Sequence, residues 1–113
     1  MVDERKCPED PLEFISECVG NRRVYWTYHV NMRLKDRCLD RGMILESVDY
    51  YEIIEAYPED KYLPSYLVYA RHHGVAFHIL FAVDVEERNV RVITSYYPDP
   101  AHWDADLKTR RKQ

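Results

Sequence analysis

Residues 66–83 read YLVYARHHGVAFHILFAV, and this stretch decides the fold. Two runs of aliphatic and aromatic residues flank His73-Gly74, a pair typical of a tight turn between antiparallel strands. We therefore predict one strand over 66–71 and a second over 75–83. Side chains alternate between the two faces of a strand. One face of the second strand then carries Val75, Phe77, Ile79, Phe81 and Val83, and the other carries Ala76, His78, Leu80 and Ala82.

A third strand is predicted over 90–96, after a polar turn at 86–89. Simple alternation places Val92, Thr94 and Tyr96 on one side of it, and Ile93 and Ser95 on the other. The prolines of the segment Tyr97-Pro98-Asp99-Pro100 end this strand. Because proline is favoured at the first position of a helix, Pro100 predicts a short final helix that runs through Trp103 and Leu107.

Three helical segments are predicted before the strands. Apolar residues at helical spacing predict a first helix over 12–19, which stops at Gly20. A brief extended segment over 23–28 follows. The second predicted helix runs from His29 to Arg41, with Gly42 just past its end. The third runs from about Leu45 to Ala56 and is stopped by Pro58.

These elements predict one α+β domain over residues 1–113. Helices come first and pack on an antiparallel sheet of three to four strands, and a short C-terminal helix completes the fold. A chain of 113 residues is long enough to bury one core without disulfides or a metal.

Charge is segregated along the chain although the net charge is only −4. Residues 22–41 hold six basic and two acidic side chains, whereas residues 46–60 hold six acidic side chains and no basic one. The acidic total argues against a protein that coats nucleic acid without specificity. Two interpretations stay open: the blocks neutralise each other in the fold, or the basic block forms a basic face.

His29, Arg33, Arg37 and Arg41 recur every four residues on the predicted second helix. Like charges at this spacing repel by a few tenths of a kcal/mol per pair, so something must offset the repulsion. Bound phosphate, an acidic partner protein, or an acidic face on the third predicted helix would each do so. That acidic face consists of Glu46, Asp49, Glu52 and Glu55.

His78 lies in the middle of the second strand, and a two-residue turn places Tyr69 across from it on the first. This pair is either a structural hydrogen-bonding pair or part of a polar site. In the second interpretation Tyr96, Thr94 and the arginines join His78 to bind a phosphate and move a proton, because histidine titrates near neutral pH.

Several classes of protein are disfavoured by the sequence. Cys7, Cys18 and Cys38 lack the spacing of a zinc site or a disulfide framework. There is no glycine-rich phosphate loop, no nucleophile elbow and no metal-spaced cluster, so we expect no metal and no cofactor. The charged start and the lack of a long apolar run predict a cytoplasmic protein with reduced thiols, no signal peptide and no membrane segment. Metal-free acid–base chemistry is the enzymatic class that is left.

Several strings of the sequence resemble one known family over residues 23–111. They are Trp26-Thr27-Tyr28-His29, Arg41-Gly42-Met43-Ile44, the run IIEAYPED at 53–60, Phe77-His78-Ile79, and the run VITSYYPDPAHW at 92–103. The chain resembles the domain of unknown function 4258 family of small bacterial and archaeal proteins. That family has no assigned activity, and its members are similar in outline to toxins of the RelE and ParE type.

The resemblance implies a toxin-like role, because members are often encoded beside a small zinc-finger or helix-turn-helix protein. One implied function is metal-free binding or cleavage of RNA. Arg33, Arg37 and Arg41 would hold phosphates, His78 or His29 would act as acid or base, and Tyr96 would orient the 2′-hydroxyl. The alternative is a non-enzymatic module that docks its neighbour-encoded antitoxin through the same arginines, with Thr94 and Tyr69 in the binding face.

Overall fold

The computed structural model describes residues 7–112 and contains three helices and five strands. The helices are α1 (Pro11–Gly20), α2 (Tyr28–Asp36) and α3 (Arg41–Glu46), and a single 3-10 turn follows at Val48–Tyr50. The strands are β1 (Val24–Trp26), β2 (Glu52–Tyr57), β3 (Ser65–His72), β4 (Val75–Asp84) and β5 (Asn89–Tyr96). The predicted α+β class is therefore confirmed.

The five strands form one mixed sheet in the order β1-β5-β4-β3-β2. Strand β1 runs parallel to β5, and every other neighbouring pair is antiparallel. The prediction of three to four antiparallel strands was wrong on both counts. The extended segment before α2 joins the sheet edge in the parallel direction, and residues 52–57 add a strand at the opposite edge.

The β3–β4 hairpin confirms the prediction made from residues 66–83. His73 and Gly74 both have positive φ, at 51° and 79°, as a two-residue turn matched to the strand twist requires. The resulting register pairs Tyr69 with His78. The central pairing of the sheet is therefore set by local turn chemistry.

Strand β4 separates two environments, and we call its two sides the inner face and the outer face. The inner face carries Phe77, Ile79, Phe81 and Val83, all fully buried, while Val75 at the strand start is half exposed. Helices α1 and α2 cover this face and contribute Ile15, Cys18, Val19, Val30 and Leu34 to the same core cluster. The outer face carries His78, together with Ala76, Leu80 and Ala82.

Helix α1 agrees with the prediction, and it begins where Asp10 accepts a hydrogen bond from the Glu13 amide. The prediction concerning a signal peptide rests on residues that lie outside the described ones. Within residues 7–112, no helix combines the length and the apolar character needed to cross a membrane.

The helix predicted over 29–41 was wrong, because α2 ends at Asp36. The Leu39 amide donates to the Leu34 carbonyl (2.8 Å) and the Cys38 amide donates to the Lys35 carbonyl (3.2 Å), which is the Schellman ending. Leu34 and Leu39 are both buried and supply the apolar contact that accompanies this ending. The chain then starts α3, so Arg41 lies on a different helix from Arg33.

The same change of direction overturns the assignment of Gly42. It lies inside α3, whose first turn is capped by Asp40 through a 2.9 Å hydrogen bond from the Met43 amide. Gly42 therefore does not end a helix. The four-residue repeat of basic side chains is divided between two helices and the turn that joins them.

The helix predicted over 45–56 was also wrong. Helix α3 ends at Glu46, and residues 52–57 pair with the edge of β3 as strand β2. Ile53 lies opposite Val68 and packs against the core, so tertiary pairing overrides a pattern that also suits a helix. A bulge at Ile54 shifts the register, so that Glu52 and Glu55 both face outward opposite Tyr69 and Leu67.

A second bulge corrects the predicted faces of β5. Val92 pairs with Phe81, whereas Thr94 pairs with Leu80, so Ile93 is the extra residue. Val92 therefore belongs to the inner face, and Thr94 belongs to the outer face. Sequence alternation had placed both on the same side.

No final helix forms among residues 97–112. The Asp99 carboxylate accepts from the Ala101 amide, and the Asp106 carboxylate accepts from the Lys108 and Thr109 amides. These side-chain bonds satisfy the backbone locally and compete with helix formation. A single bridge between Trp103 and Arg110 closes the segment, which we call the C-terminal strap (residues 97–112).

The Schellman ending predicts that Cys38→Gly stabilises the protein. Cys38 has φ of 59°, a conformation that costs a non-glycine residue about 1–2 kcal/mol. Glycine avoids this cost in the folded state, but the greater freedom of its unfolded chain cancels roughly half of the gain in stability. We expect Cys38→Gly to unfold at a free energy about 0.5–1 kcal/mol higher than Cys38→Ala in urea titrations. Cys38→Ala is the matched control because it removes the thiol and keeps the Cβ. An equal or lower value for the glycine variant would contradict this account of the helix end.

Candidate functional site

His78 lies at the centre of the outer face, between the aromatic rings of two neighbouring strands. The Tyr69 ring centroid on β3 is 6.2 Å from the imidazole centroid, and the Tyr96 centroid on β5 is 5.3 Å from it. Strand pairing places both tyrosines directly opposite His78. The structure thus brings together three of the residues predicted to form a site.

Hydrogen bonds define the tautomer of the His78 imidazole. Nε2 lies 2.6 Å from the Leu107 carbonyl oxygen, which can only accept, so Nε2 carries the proton. Nδ1 is then an acceptor, and the Tyr96 hydroxyl lies 3.3 Å from it as the donor. The imidazole is neutral, and both of its nitrogens have partners.

The C-terminal strap covers His78. The Trp103 indole packs edge-on against the imidazole at 4.5 Å between centroids and is itself buried. Leu107 has φ of 60°, unusual for a residue with a side chain, and its carbonyl is the one that accepts from Nε2. These contacts leave His78 with no solvent exposure.

Two cations of the strap contact two carboxylates of strand β2. Lys108 Nζ lies 3.1 Å from Glu52 Oε1, and the Arg110 guanidinium forms a two-point contact with Glu55 at 2.7 and 3.0 Å. The Glu52 and Glu55 carboxylates are in reach because the β2 bulge turns both outward. Two members of the acidic face that was one candidate to offset the arginines of 29–41 therefore contact the strap instead.

Aromatic rings extend these contacts. Lys108 Nζ lies 4.8 Å from the Tyr69 ring centroid, and the Arg110 guanidinium carbon lies 4.7 Å from the Trp103 centroid. The Tyr57 hydroxyl donates to Glu55 from the end of β2. Each strap cation is thus placed between a carboxylate and an aromatic face, both of which attract it.

Burial and charge set the protonation states on the outer face. Burial holds the pKa of His78 below its usual value, and the strap carbonyl and Glu55 oppose that effect. Hydrogen bonding from Arg110 lowers the pKa of Glu55. Burial raises the pKa of Tyr96, so its hydroxyl stays protonated at neutral pH. Tyr96 is therefore a hydrogen-bond donor in this site and not a phenolate.

Arg37 and Thr94 contact each other away from His78. Arg37 Nη1 donates to Thr94 Oγ1 at 3.1 Å and to the Ser95 carbonyl at 2.8 Å. Strand β1 pairs with β5 only as far as Val92, so Arg37 bonds to the β5 backbone just past the end of that pairing. Its guanidinium protects an exposed strand edge, which is a structural role.

The remaining predicted residues lie near the β1 edge of the sheet. Arg41 stacks on Trp26 at 5.0 Å and donates to the Asn31 side chain at 2.9 Å. His29 and Arg33 are exposed on α2, four residues apart on one side of that helix. Within residues 7–112 none of these side chains contacts His78, so the predicted arginine–histidine site does not form as one cluster.

The basic block keeps its charge without internal neutralisation. Its members are Arg22, Arg23, Arg33, Lys35, Arg37 and Arg41, and none of them forms an ion pair with a carboxylate among residues 7–112. Glu46, Glu52 and Glu55 of the acidic block pair instead with His72, Lys108 and Arg110. Of the two interpretations left open by the sequence, neutralisation of one block by the other is therefore not observed among the described residues.

Sequence reasoning missed the strap residues that complete the site. Lys108 and Arg110 contact carboxylates 56 and 55 residues earlier in the chain, and Trp103 contacts His78, so local patterns carry no signal for these contacts. The alternation in residues 52–57 would have indicated a strand only together with knowledge of the bulge. In the described part of the chain, no group of three His, Cys, Asp or Glu side chains is arranged to hold a metal ion.

Comparison with protein families gives one match. The model of a domain of unknown function (DUF4258) matches residues 26–97. The match includes His78, Tyr69, Tyr96 and both carboxylates that hold the strap, and it ends where the strap begins. No curated protein and no solved structure matched the chain.

Buried, neutral His78 makes stability depend on pH in a defined direction. Below about 6.5, the ordinary histidine pKa, the unfolded chain binds a proton that folded His78 resists, so the free energy of unfolding falls as pH falls. Urea titrations between pH 7.5 and 5.5 should show wild type losing stability relative to His78→Gln, by at most about 1.4 kcal/mol per pH unit. The exposed-site control His29→Gln should track wild type. A difference in the free energy of unfolding between wild type and His78→Gln that is constant with pH would contradict the assignment of His78 as buried and neutral.

Proposed function

We propose that this chain, which belongs to the DUF4258 family, is a toxin-like domain that binds RNA through a basic surface at the β1 edge of its sheet. We call this surface the β1–α2 surface; it consists of Tyr28, His29, Arg33 and Lys35 of α2, together with Arg22 and Tyr25 beside the sheet edge at β1. The observation that carries the proposal is the lack of carboxylate partners for its cations within residues 7–112. Cations left unpaired beside one another favour an anionic partner.

Exposed aromatic rings favour RNA as that partner. The Tyr25 side chain is 59% exposed and the Tyr28 side chain is 76% exposed, on either side of Trp26. Exposed rings next to cations suit a single strand, because bases stack on the rings while phosphates contact the cations. Stacking contributes about 1–3 kcal/mol per base, which offsets a modest number of phosphate contacts.

A purely structural role for the basic side chains accounts for only part of their charge. Arg33 and Lys35 lie in the last turn of α2, where cations interact favourably with the helix dipole by about 0.3–1 kcal/mol. Arg22 follows the C-terminus of α1 and donates to the Val19 carbonyl at 3.4 Å, so the dipole of α1 attracts it in the same way. Neither dipole offers a reason for Tyr25 and Tyr28 to be exposed nearby.

The phosphate-binding roles divide unequally among the arginines named from sequence. Arg33 is exposed and has no protein partner in the described residues, so it is the one best suited to hold phosphate. Arg37 is bonded to β5 and Arg41 is stacked on Trp26, so both support the surface rather than contact RNA.

Metal-free cleavage of the bound RNA is the more specific part of the proposal. His29 lies on the RNA-binding surface, where it is available as an acid or base without rearrangement. His78 has a suitable acceptor in Nδ1, and Tyr96 is the donor beside it, but the strap covers His78. Cleavage through His78 and Tyr96 therefore requires displacement of the strap. The same holds for a mechanism of the RelE or ParE type in which these two residues would act.

A protein partner is the second candidate, and one observation favours it. Met32 is 46% exposed between Tyr28 and Arg33 on the outer side of α2. An exposed methionine beside a tyrosine and an arginine has the composition of a protein interface. The neighbour-encoded antitoxin would then cover the β1–α2 surface.

Titration of a fluorescein-labelled single-stranded RNA at several salt concentrations tests the RNA proposal. We expect Arg33→Gln to weaken binding about three- to ten-fold and to reduce the salt slope by about 0.7, the value for one phosphate contact on a single strand. Tyr28→Ala should weaken binding with the slope unchanged. The matched control is Arg71→Gln, which removes the same charge at the tip of the β3–β4 hairpin and should bind like wild type.

Two outcomes would overturn RNA binding at this surface. One is no salt-dependent binding by wild type. The other is an equal effect of Arg33→Gln and Arg71→Gln, which would mean attraction by overall charge. Loss of antitoxin copurification in Arg33→Gln, with no RNA binding by wild type, would select the protein candidate.

A further inference from the structure

We propose that the outer face of the sheet is a docking groove for a basic, aromatic peptide segment of a partner protein, and that the C-terminal strap occupies it in cis. The groove is formed by Glu52, Glu55, Tyr69, His78 and Tyr96. It lies toward the β2 edge, away from the β1–α2 surface. This inference concerns a second site and does not depend on the binding of RNA.

The contacts of the strap define what the groove recognises. One aromatic ring, Trp103, packs on the imidazole, and two cations, Lys108 and Arg110, contact the two carboxylates. The fourth point is a backbone carbonyl, that of Leu107, which accepts from His78 Nε2. All four points are features that a peptide from another chain can supply.

Charge complementarity specifies the partner. Two of the five groove residues are carboxylates, and residues 108–112 of the strap carry four basic side chains. A segment rich in Lys or Arg is attracted to the groove, and an acidic segment or a nucleic acid is repelled. The aromatic floor of Tyr69, His78 and Tyr96 adds a requirement for a ring at the centre.

The strap is separable from the domain on which it lies. Trp103 does not belong to the main core cluster, and the strap contains one isolated bridge in place of a helix or strand. All five groove residues fall within the family match at 26–97, whereas residues 98–112 lie beyond it. Segments that lack regular structure and lie outside the main core cluster open more easily than the core.

Of the two ion pairs that hold the strap, the one between Lys108 and Glu52 suits exchange with a competitor. The side chains of Lys108 and Glu52 are 36% and 54% exposed, so water reaches this pair in the closed state. Exposed ion pairs stabilise little and exchange readily. A partner segment can therefore contact one carboxylate while the strap still holds the other.

A peptide supplied in trans tests the proposal. The probe is a fluorescein-labelled synthetic peptide of residues 97–112, and the protein is the full chain with a loosened strap, Trp103→Ala/Arg110→Gln. We expect the peptide to bind this variant at least ten-fold more tightly than it binds wild type, whose groove is occupied. Peptide carrying Trp103→Ala should bind at least ten-fold more weakly than the native peptide.

Groove variants locate the binding. Adding Glu52→Gln/Glu55→Gln to the strap-loosened chain should weaken peptide binding at least ten-fold. The matched control, Glu46→Gln/Asp49→Gln, removes the same charge from the same acidic block outside the groove and should leave binding within two-fold. If Trp103→Ala/Arg110→Gln fails to fold by circular dichroism, Lys108→Gln/Arg110→Gln replaces it, because that variant keeps the buried indole.

The proposal is overturned if the peptide does not bind a folded strap-loosened variant. It is equally overturned if binding survives Glu52→Gln/Glu55→Gln. Neither result bears on RNA binding, because the β1–α2 surface is intact in all of these variants.

Discussion

Strand β4 has to satisfy two environments at once, because side chains along a strand alternate between its faces. Phe77, Ile79, Phe81 and Val83 anchor the core beneath α1 and α2, and their alternation forces His78 onto the opposite side. A buried imidazole needs partners for both nitrogens, since each unpaired polar atom costs about 1–3 kcal/mol. Tyr96 and the Leu107 carbonyl meet that need, and the position of the strap follows from it.

The acidic and basic blocks of this protein lie in different places and do not neutralise each other in the described part of the chain. Acidic side chains of β2 hold the strap at one edge of the sheet, and the basic block lies near the other edge without carboxylate partners among residues 7–112. The net charge of −4 hides this arrangement, because potential at a surface depends on nearby charges. Two surfaces of opposite charge result, a basic one near the β1 edge of the sheet and an acidic one on β2.

Parts of the fold with local causes were predictable from sequence. The His73-Gly74 turn, the alternation of β4 and the helix that stops at Gly20 each depend on residues close together in the chain, and all were found. The Tyr69–His78 pair followed from the turn alone. Errors arose where a helical period and a strand competed, as at residues 52–57, or where one extra residue reversed the faces, as at Ile93.

The sequence by itself determined the α+β class, the central hairpin and the separation of charge into blocks, since these depend on composition and on short-range spacing. Only the tertiary structure decided that α2 stops at Asp36, that Arg37 bonds to β5, and that the strap buries His78. The Schellman ending needs Leu39 to reach the core, and the strap needs carboxylates more than 50 residues earlier in the chain. Such contacts are stabilised by burial and by pairing across the fold, and neither is encoded in a local window.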